Sequence, residues 1–87
     1  MKITFANESS FNDYYEWTTQ DKKIAKKVMS LIKDIKRTPY IGLGKPEALK
    51  HELSGYWSRE ITKEHRLVYK LDGETIEILS CKYHYVK

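Results

Sequence analysis

Cysteine, proline and glycine are all scarce in this chain of 87 residues, at one, two and four respectively, and its apolar runs are short. Each scarcity excludes something. A lone Cys81 closes no internal disulfide and supplies neither a Cys-x-x-Cys pair nor a four-cysteine zinc arrangement, which fits a reducing compartment. His51, His65 and His84 are scattered without the spacing of a metal-binding helix, so neither metal nor cofactor is expected. No run approaches the roughly 20 apolar residues of a membrane span. Met1-Lys2-Ile3-Thr4-Phe5 lacks the apolar stretch of a signal peptide, so the expected location is the cytoplasm. Without repeats, low-complexity segments or a linker, residues 1–87 form one domain. What is abundant is charge. Sixteen Lys and Arg face twelve Asp and Glu, a net +4 that favours a polyanion or an acidic protein as partner.

Alternation of Ile3 and Phe5 with Lys2 and Thr4 predicts a short amino-terminal strand with one buried face, followed by Asn7 as turn or cap. A first helix is predicted from Ser9 or Ser10 to Thr18, with an aromatic stripe of Phe11, Tyr14 and Tyr15. Asp21 is a plausible N-cap for a second, on which Ile24, Val28, Leu31, Ile32 and Ile35 recur at helical spacing. Lys22, Lys23, Lys26, Lys27, Lys33, Lys36 and Arg37 fall on its outer positions, with only Asp21 and Asp34 opposing them. Such a face is either simply solvated or directed at phosphates. Pro39 ends the helix, and residues 40–46 form a loop that is not a phosphate-binding P-loop, since Gly42-Leu43-Gly44-Lys45 lacks both the length and the hydroxyl residue.

From Ala48 onward the pattern is strand-like: Ala48 to Leu53, Tyr56 to Ile61, Arg66 to Leu71 and Thr75 to Tyr83, with turn residues between. The fold class is therefore α+β, an amino-terminal strand and two helices packed on a twisted antiparallel sheet. If Thr62 to His65 is a four-residue loop, Arg59 pairs with Val68, and Arg59 and Arg66 share a face that needs an anion, whether phosphate, Glu47 or Glu77. A two-residue Asp72-Gly73 turn pairs Leu71 with Glu74 and gathers Leu67, Tyr69, Ile76 and Ile78 on a core face. That register sends Arg66 and His84 to opposite faces. Their cooperation needs a bulge, a longer loop, or a chain that leaves the strand near Tyr83 and curls over the edge.

Metal-free RNA cleavage needs a base for the ribose 2′-hydroxyl, cations for the dianionic phosphorane and an acid for the leaving 5′-oxygen. Glu47, the arginines and His84 are suitable groups, and Trp57, Tyr83 and Tyr85 could stack on unpaired bases or belong to the core.

Four motifs then appear in order: Lys45-Pro46-Glu47 with Leu49-Lys50-His51; Leu53-Ser54-Gly55-Tyr56-Trp57-Ser58-Arg59; Glu64-His65-Arg66-Leu67-Val68-Tyr69; and Cys81-Lys82-Tyr83-His84-Tyr85. Together they resemble the YoeB-type toxins of the RelE superfamily, over essentially the whole chain. The resemblance implies a RelE-like fold and a type II toxin that cuts mRNA in the ribosomal A site. By motif, Glu47 is implied as general base, Arg66 as phosphate and transition-state stabiliser and His84 as general acid. Lys50, His51, Arg59 and Tyr85 are implied as supporting, substrate-binding groups. The implied partners are a cognate YefM-like antitoxin, the 70S ribosome with its mRNA, and a second copy in a homodimer. Two other classes compete: a non-catalytic ParE-like inhibitor of a protein such as gyrase, for which Glu47, Arg66 and His84 have no joint purpose, and a plain basic RNA- or ribosome-binding module.

Overall fold

The computed structural model describes residues 1–83. Strand β1 (Lys2–Phe5) leads into helix α1 (Glu8–Gln20) and helix α2 (Lys22–Arg37), and strands β2 (Glu47–Ala48), β3 (Trp57–Glu60), β4 (Arg66–Asp72) and β5 (Thr75–Ser80) follow. The five strands form one sheet in the order β1-β5-β4-β3-β2. Strands β2 to β5 pair antiparallel as expected, whereas β1 lies parallel to β5, with Ile3 beside Ile76 and Phe5 beside Ile78, so the sheet is mixed. Among the described residues, no helix is long and apolar enough to cross a membrane.

Local chemistry sets the helix ends. The Asn7 side chain accepts from the Ser10 amide at 2.9 Å, capping α1 two residues earlier than the expected start. Asp21 serves both helices: its amide donates to the Trp17 carbonyl at 2.9 Å, closing α1, while its carboxylate accepts from the Lys23 and Ile24 amides and opens α2. Helix α2 buries Ala25, Val28, Leu31, Ile32 and Ile35 against the sheet. Each large one stabilises by roughly 1.5–3 kcal/mol. Helix α1 is rotated from the expected aromatic stripe: Ser10 and Trp17 are buried and Tyr14 packs partly buried against the core as expected, while Phe11 and Tyr15 are 50% and 58% exposed.

Two registers differ from expectation. The β3–β4 loop is one residue shorter, because the Ile61 and Thr62 amides both donate to the His65 carbonyl, so Arg59 pairs with Leu67 and Glu60 with Arg66. A one-residue shift exchanges faces, and Arg59 and Arg66 point to opposite sides of the sheet. In the β4–β5 hairpin Asp72 pairs with Thr75 and Leu71 with Ile76, a displacement of two that preserves the faces, and Leu67, Tyr69, Ile76 and Ile78 are all in the core as expected. The predicted strand from Ala48 to Leu53 is only two residues long. His51 takes φ +60°, and a 3₁₀ turn from His51 to Leu53 replaces the rest.

Arg59 is fully buried, and all five of its N–H groups are occupied. Nε donates to the Tyr69 hydroxyl, one terminal nitrogen to Asp34 Oδ2 at 2.6 Å and the Leu43 carbonyl, the other to the carbonyls of Thr38 and Ile41. Asp34, an outer position by sequence, is drawn inward by this charge and also accepts from Arg37 and the Leu43 amide. The Arg37 hydrogen bond, with those from Leu43 and Arg59, holds its carboxyl far below the usual carboxylate range. A carboxyl more acidic in the folded than the unfolded chain contributes stability that is complete above the unfolded value and lost as pH falls towards the folded one. The urea midpoint of the wild type should therefore fall from about pH 4 downward, and Asp34→Asn should remove that part of the acid limb. An unchanged pH dependence in Asp34→Asn would count against the assignment.

Candidate active site

Strands β2, β3 and β4 place Glu47, Ser58, Glu60 and Arg66 on the sheet face opposite Arg59 and the helices, by pairing and alternation. Arg66 is nearly buried, its side chain 11% exposed, yet it is held loosely at its tip. Nε donates to Ser58 Oγ at 2.9 Å, but the terminal nitrogens lie 3.4 Å from the Lys45 and Ser58 carbonyls, 3.8 Å from Glu47 and 4.0 Å from Glu60. A guanidinium anchored at its base with a slack fork can turn to a phosphate, whose charge-assisted bonds are stronger. The two arginines thus divide the work: Arg59 has no donor left, whereas Arg66 has spare ones.

Glu47 is 59% exposed and faces the Arg66 fork, so two of the three expected catalytic residues meet. The loop before it is held by glycine. Gly44 has φ +79°, its carbonyl accepts from the Glu60 amide, and a Cβ there would lie 2.9 Å from Leu31 and 3.0 Å from the Glu60 carbonyl. Lys50 and His51 are exposed in the segment after β2. Arg59, expected to bind substrate, is instead internal. Its role is corrected to that of a strut, because the shorter β3–β4 loop turns it towards Asp34.

His84 and Tyr85 lie outside the described residues. The chain leading to them leaves β5 after Ser80, past a bulge at Val68/Tyr69. Tyr83 follows in a left-handed conformation, φ +60°, and its carbonyl accepts from the Arg66 amide at 3.1 Å. The opposite-face obstacle seen in an uninterrupted strand therefore does not apply as far as Tyr83, whose ring is 60% exposed. Trp57 is half-buried against Tyr40, with ring centroids 4.7 Å apart. Cys81 is buried, its thiol pushed up to about 12 by desolvation, and so is no nucleophile. Among the described residues no three His, Cys, Asp or Glu side chains gather as a metal site.

A carboxylate against a loosely held arginine on a small α+β sheet is an arrangement that can receive a phosphate. The model of the YoeB-like toxin of the bacterial type II toxin-antitoxin system matches residues 5–85. Toxin YoeB of Escherichia coli (strain K12) is 54% identical over 85 residues, 98% of this chain and 100% of its own. The YoeB-YefM complex from Staphylococcus aureus superposes with a TM-score of 0.90 at 49% identity, and the YoeB dimer from the same organism with 0.90 at 50%, each over 98% of both chains. The chain belongs to the YoeB family of type II toxin-antitoxin toxins.

Gly44→Ala should cost about 2–5 kcal/mol, from the left-handed backbone and the collision with Leu31 and Glu60 together. Gly55→Ala, at φ +96° in open space, should cost only about 1–2 kcal/mol. Denaturant midpoints compare them directly, and equal losses would refute a packing role for Gly44.

Proposed function

We propose that this toxin is a ribosome-dependent endoribonuclease that cuts mRNA in the A site by metal-independent acid–base catalysis. The observation that carries the proposal is the contact of Glu47 with the slack fork of Arg66, at the point where the carboxyl-terminal segment reaches the Arg66 backbone. In the proposed reaction Glu47 takes the proton of a ribose 2′-hydroxyl, whose oxygen attacks the adjacent phosphorus. Arg66 exchanges its weak contacts for the equatorial oxygens of the phosphorane, a change confined to the transition state. His84 protonates the departing 5′-oxygen, leaving a 2′,3′-cyclic phosphate and a 5′-hydroxyl. Lys50 and His51 flank Glu47 and bind the message, with Tyr85 beyond His84. The exposed Glu47 leaves positioning of the RNA to the ribosome, and the proposed place of action is the cytoplasm.

The exposed lysines of α2 supply the attraction. Asp34 is withdrawn to Arg59 and pairs with Arg37, so the six lysines of that face stand in solvent without it. We assign this face to ribosomal RNA. A YefM-like antitoxin and a second copy are the proposed protein partners, consistent with the forms seen in the S. aureus relatives.

Purified protein added to ribosomes carrying a defined mRNA should cut it in the A-site codon, with excess chelator making no difference. Glu47→Gln and His84→Gln should each lower the single-turnover rate by about 10²–10⁴-fold. Intact message at stoichiometric toxin, or cleavage abolished by the chelator, would overturn the proposal. Combined Lys23→Gln, Lys26→Gln and Lys27→Gln should flatten the plot of log ribosome affinity against log salt by about 2 while sparing the cleavage rate at saturation. An unchanged slope would remove α2 from the interface.

A further inference from the structure

The three residues between the end of β5 and His84 lie outside the strand, yet both backbone groups of Cys81 and of Tyr83 are hydrogen-bonded. Helix α1 holds the near end: Ser10 donates to the Leu79 carbonyl, Asp13 accepts from the Cys81 amide at 3.3 Å, the Trp17 indole donates to the Cys81 carbonyl at 2.8 Å, and Glu16 pairs with Lys82. His65 holds the far end. Its Nδ1 accepts from the Tyr83 amide at 2.7 Å, and the next residue, Arg66, donates its amide to the Tyr83 carbonyl. Both backbone groups of Tyr83 are therefore fixed by two consecutive residues of β4 and its loop.

This clasp acts on an unfavourable conformation. A tyrosine at φ +60° costs about 1–2 kcal/mol and persists only where its surroundings over-determine it. The acceptor is also specified chemically. A backbone amide can only donate, so Nδ1 must carry the lone pair and the ring proton sits on Nε2, which is 3.7 Å from the exposed Glu64 carboxylate. Packing fixes the ring itself: His65 is buried, edge-on to Trp17 at 4.8 Å and tilted against Tyr83 at 5.2 Å. Nothing in the proposed reaction uses His65 directly, yet it adjoins Arg66 in the chain and holds the residue that precedes His84.

We propose that His65 is a positioning residue for catalysis: by accepting from the Tyr83 amide through Nδ1 it fixes, beside Arg66, the residue from which the chain continues to His84. The inference rests on the proposed nuclease function, and its test separates the two. His65→Phe keeps an aromatic ring beside Trp17 but offers no acceptor, whereas His65→Asn sets a carbonyl oxygen close to the place of Nδ1. In single-turnover cleavage of programmed ribosomes, His65→Phe should lower the rate constant at saturation about 10–100-fold, leaving the half-saturating ribosome concentration unchanged, and His65→Asn should recover most of the loss. A His65→Phe variant that cuts at the wild-type rate, or a His65→Asn variant as slow as His65→Phe, overturns the proposal. The clasp is also read without activity by hydrogen exchange in the ¹⁵N-labelled protein. A Tyr83 amide protected in the wild type and in His65→Asn supports it, and a Tyr83 amide that exchanges freely in the wild type overturns it. Should wild-type protein leave the message intact, the nuclease function falls and the exchange measurement still judges the clasp.

Discussion

The ion pair between Arg59 and Asp34 is the constraint on which the site depends. A guanidinium without solvent contact must find partners for every N–H, and this one finds them on α2, on β4 and on three carbonyls of the loop that joins the helices to the sheet. Breaking such a buried pair by removing one partner costs about 3–5 kcal/mol, a large share of the roughly 4–13 kcal/mol available to a domain of this size. The loop thus gains order with little apolar packing beyond Tyr40 on Trp57: Ile41 and Leu43 are 69% and 52% exposed. Its far end becomes Lys45-Pro46-Glu47, so the position of Glu47 is referred back to the buried charge.

On the opposite sheet face the same residue type is used in the reverse way. Arg66 is fixed at Nε and slack at its tip, with two carboxylates at 3.8 and 4.0 Å that lower the cost of gathering positive charge without saturating it. The face that carries Glu47 and Arg66 is therefore assembled from short elements, a two-residue strand and a clasped segment after β5, while the rigid core lies on the other side. Functional groups on thin supports are held by hydrogen bonds to backbone, at Gly44, Lys45 and Tyr83, more than by apolar burial.

What was legible in the sequence follows from which signals carry period and which carry parity. Helix α2, its Asp21 cap and its apolar stripe are plain because hydrophobic residues recur at helical spacing. The core face of β4 and β5 survives a turn misplaced by one residue, since that shifts the pairing by two and an even displacement preserves the faces. The β3–β4 pairing is displaced by one, and this single residue moves Arg59 from the face of Arg66 to the interior and takes Asp34 with it. On α1 the aromatic stripe misleads, because Ser10, Asp13 and Trp17 are turned inward by hydrogen bonds to the carboxyl-terminal segment rather than by hydropathy. Local turn bonds at His51 to Tyr56 likewise overrule a strand-like composition. Glu47 and Arg66 are recognisable as chemistry from their motifs, but their contact depends on register.

The parallel pairing of β1 with β5 sets the order in which this fold can be completed. Strand β5 lies between β1 and β4, so the first strand synthesised has no neighbour until the last has been made. A nascent chain halted before Thr75 leaves Ile3 and Phe5 without Ile76 and Ile78, and α1 without the Leu79 and Cys81 carbonyls that Ser10 and Trp17 address. Contacts spanning more than sixty residues make closure late and cooperative. A nascent chain of this toxin thus lacks a complete sheet until β5 has emerged.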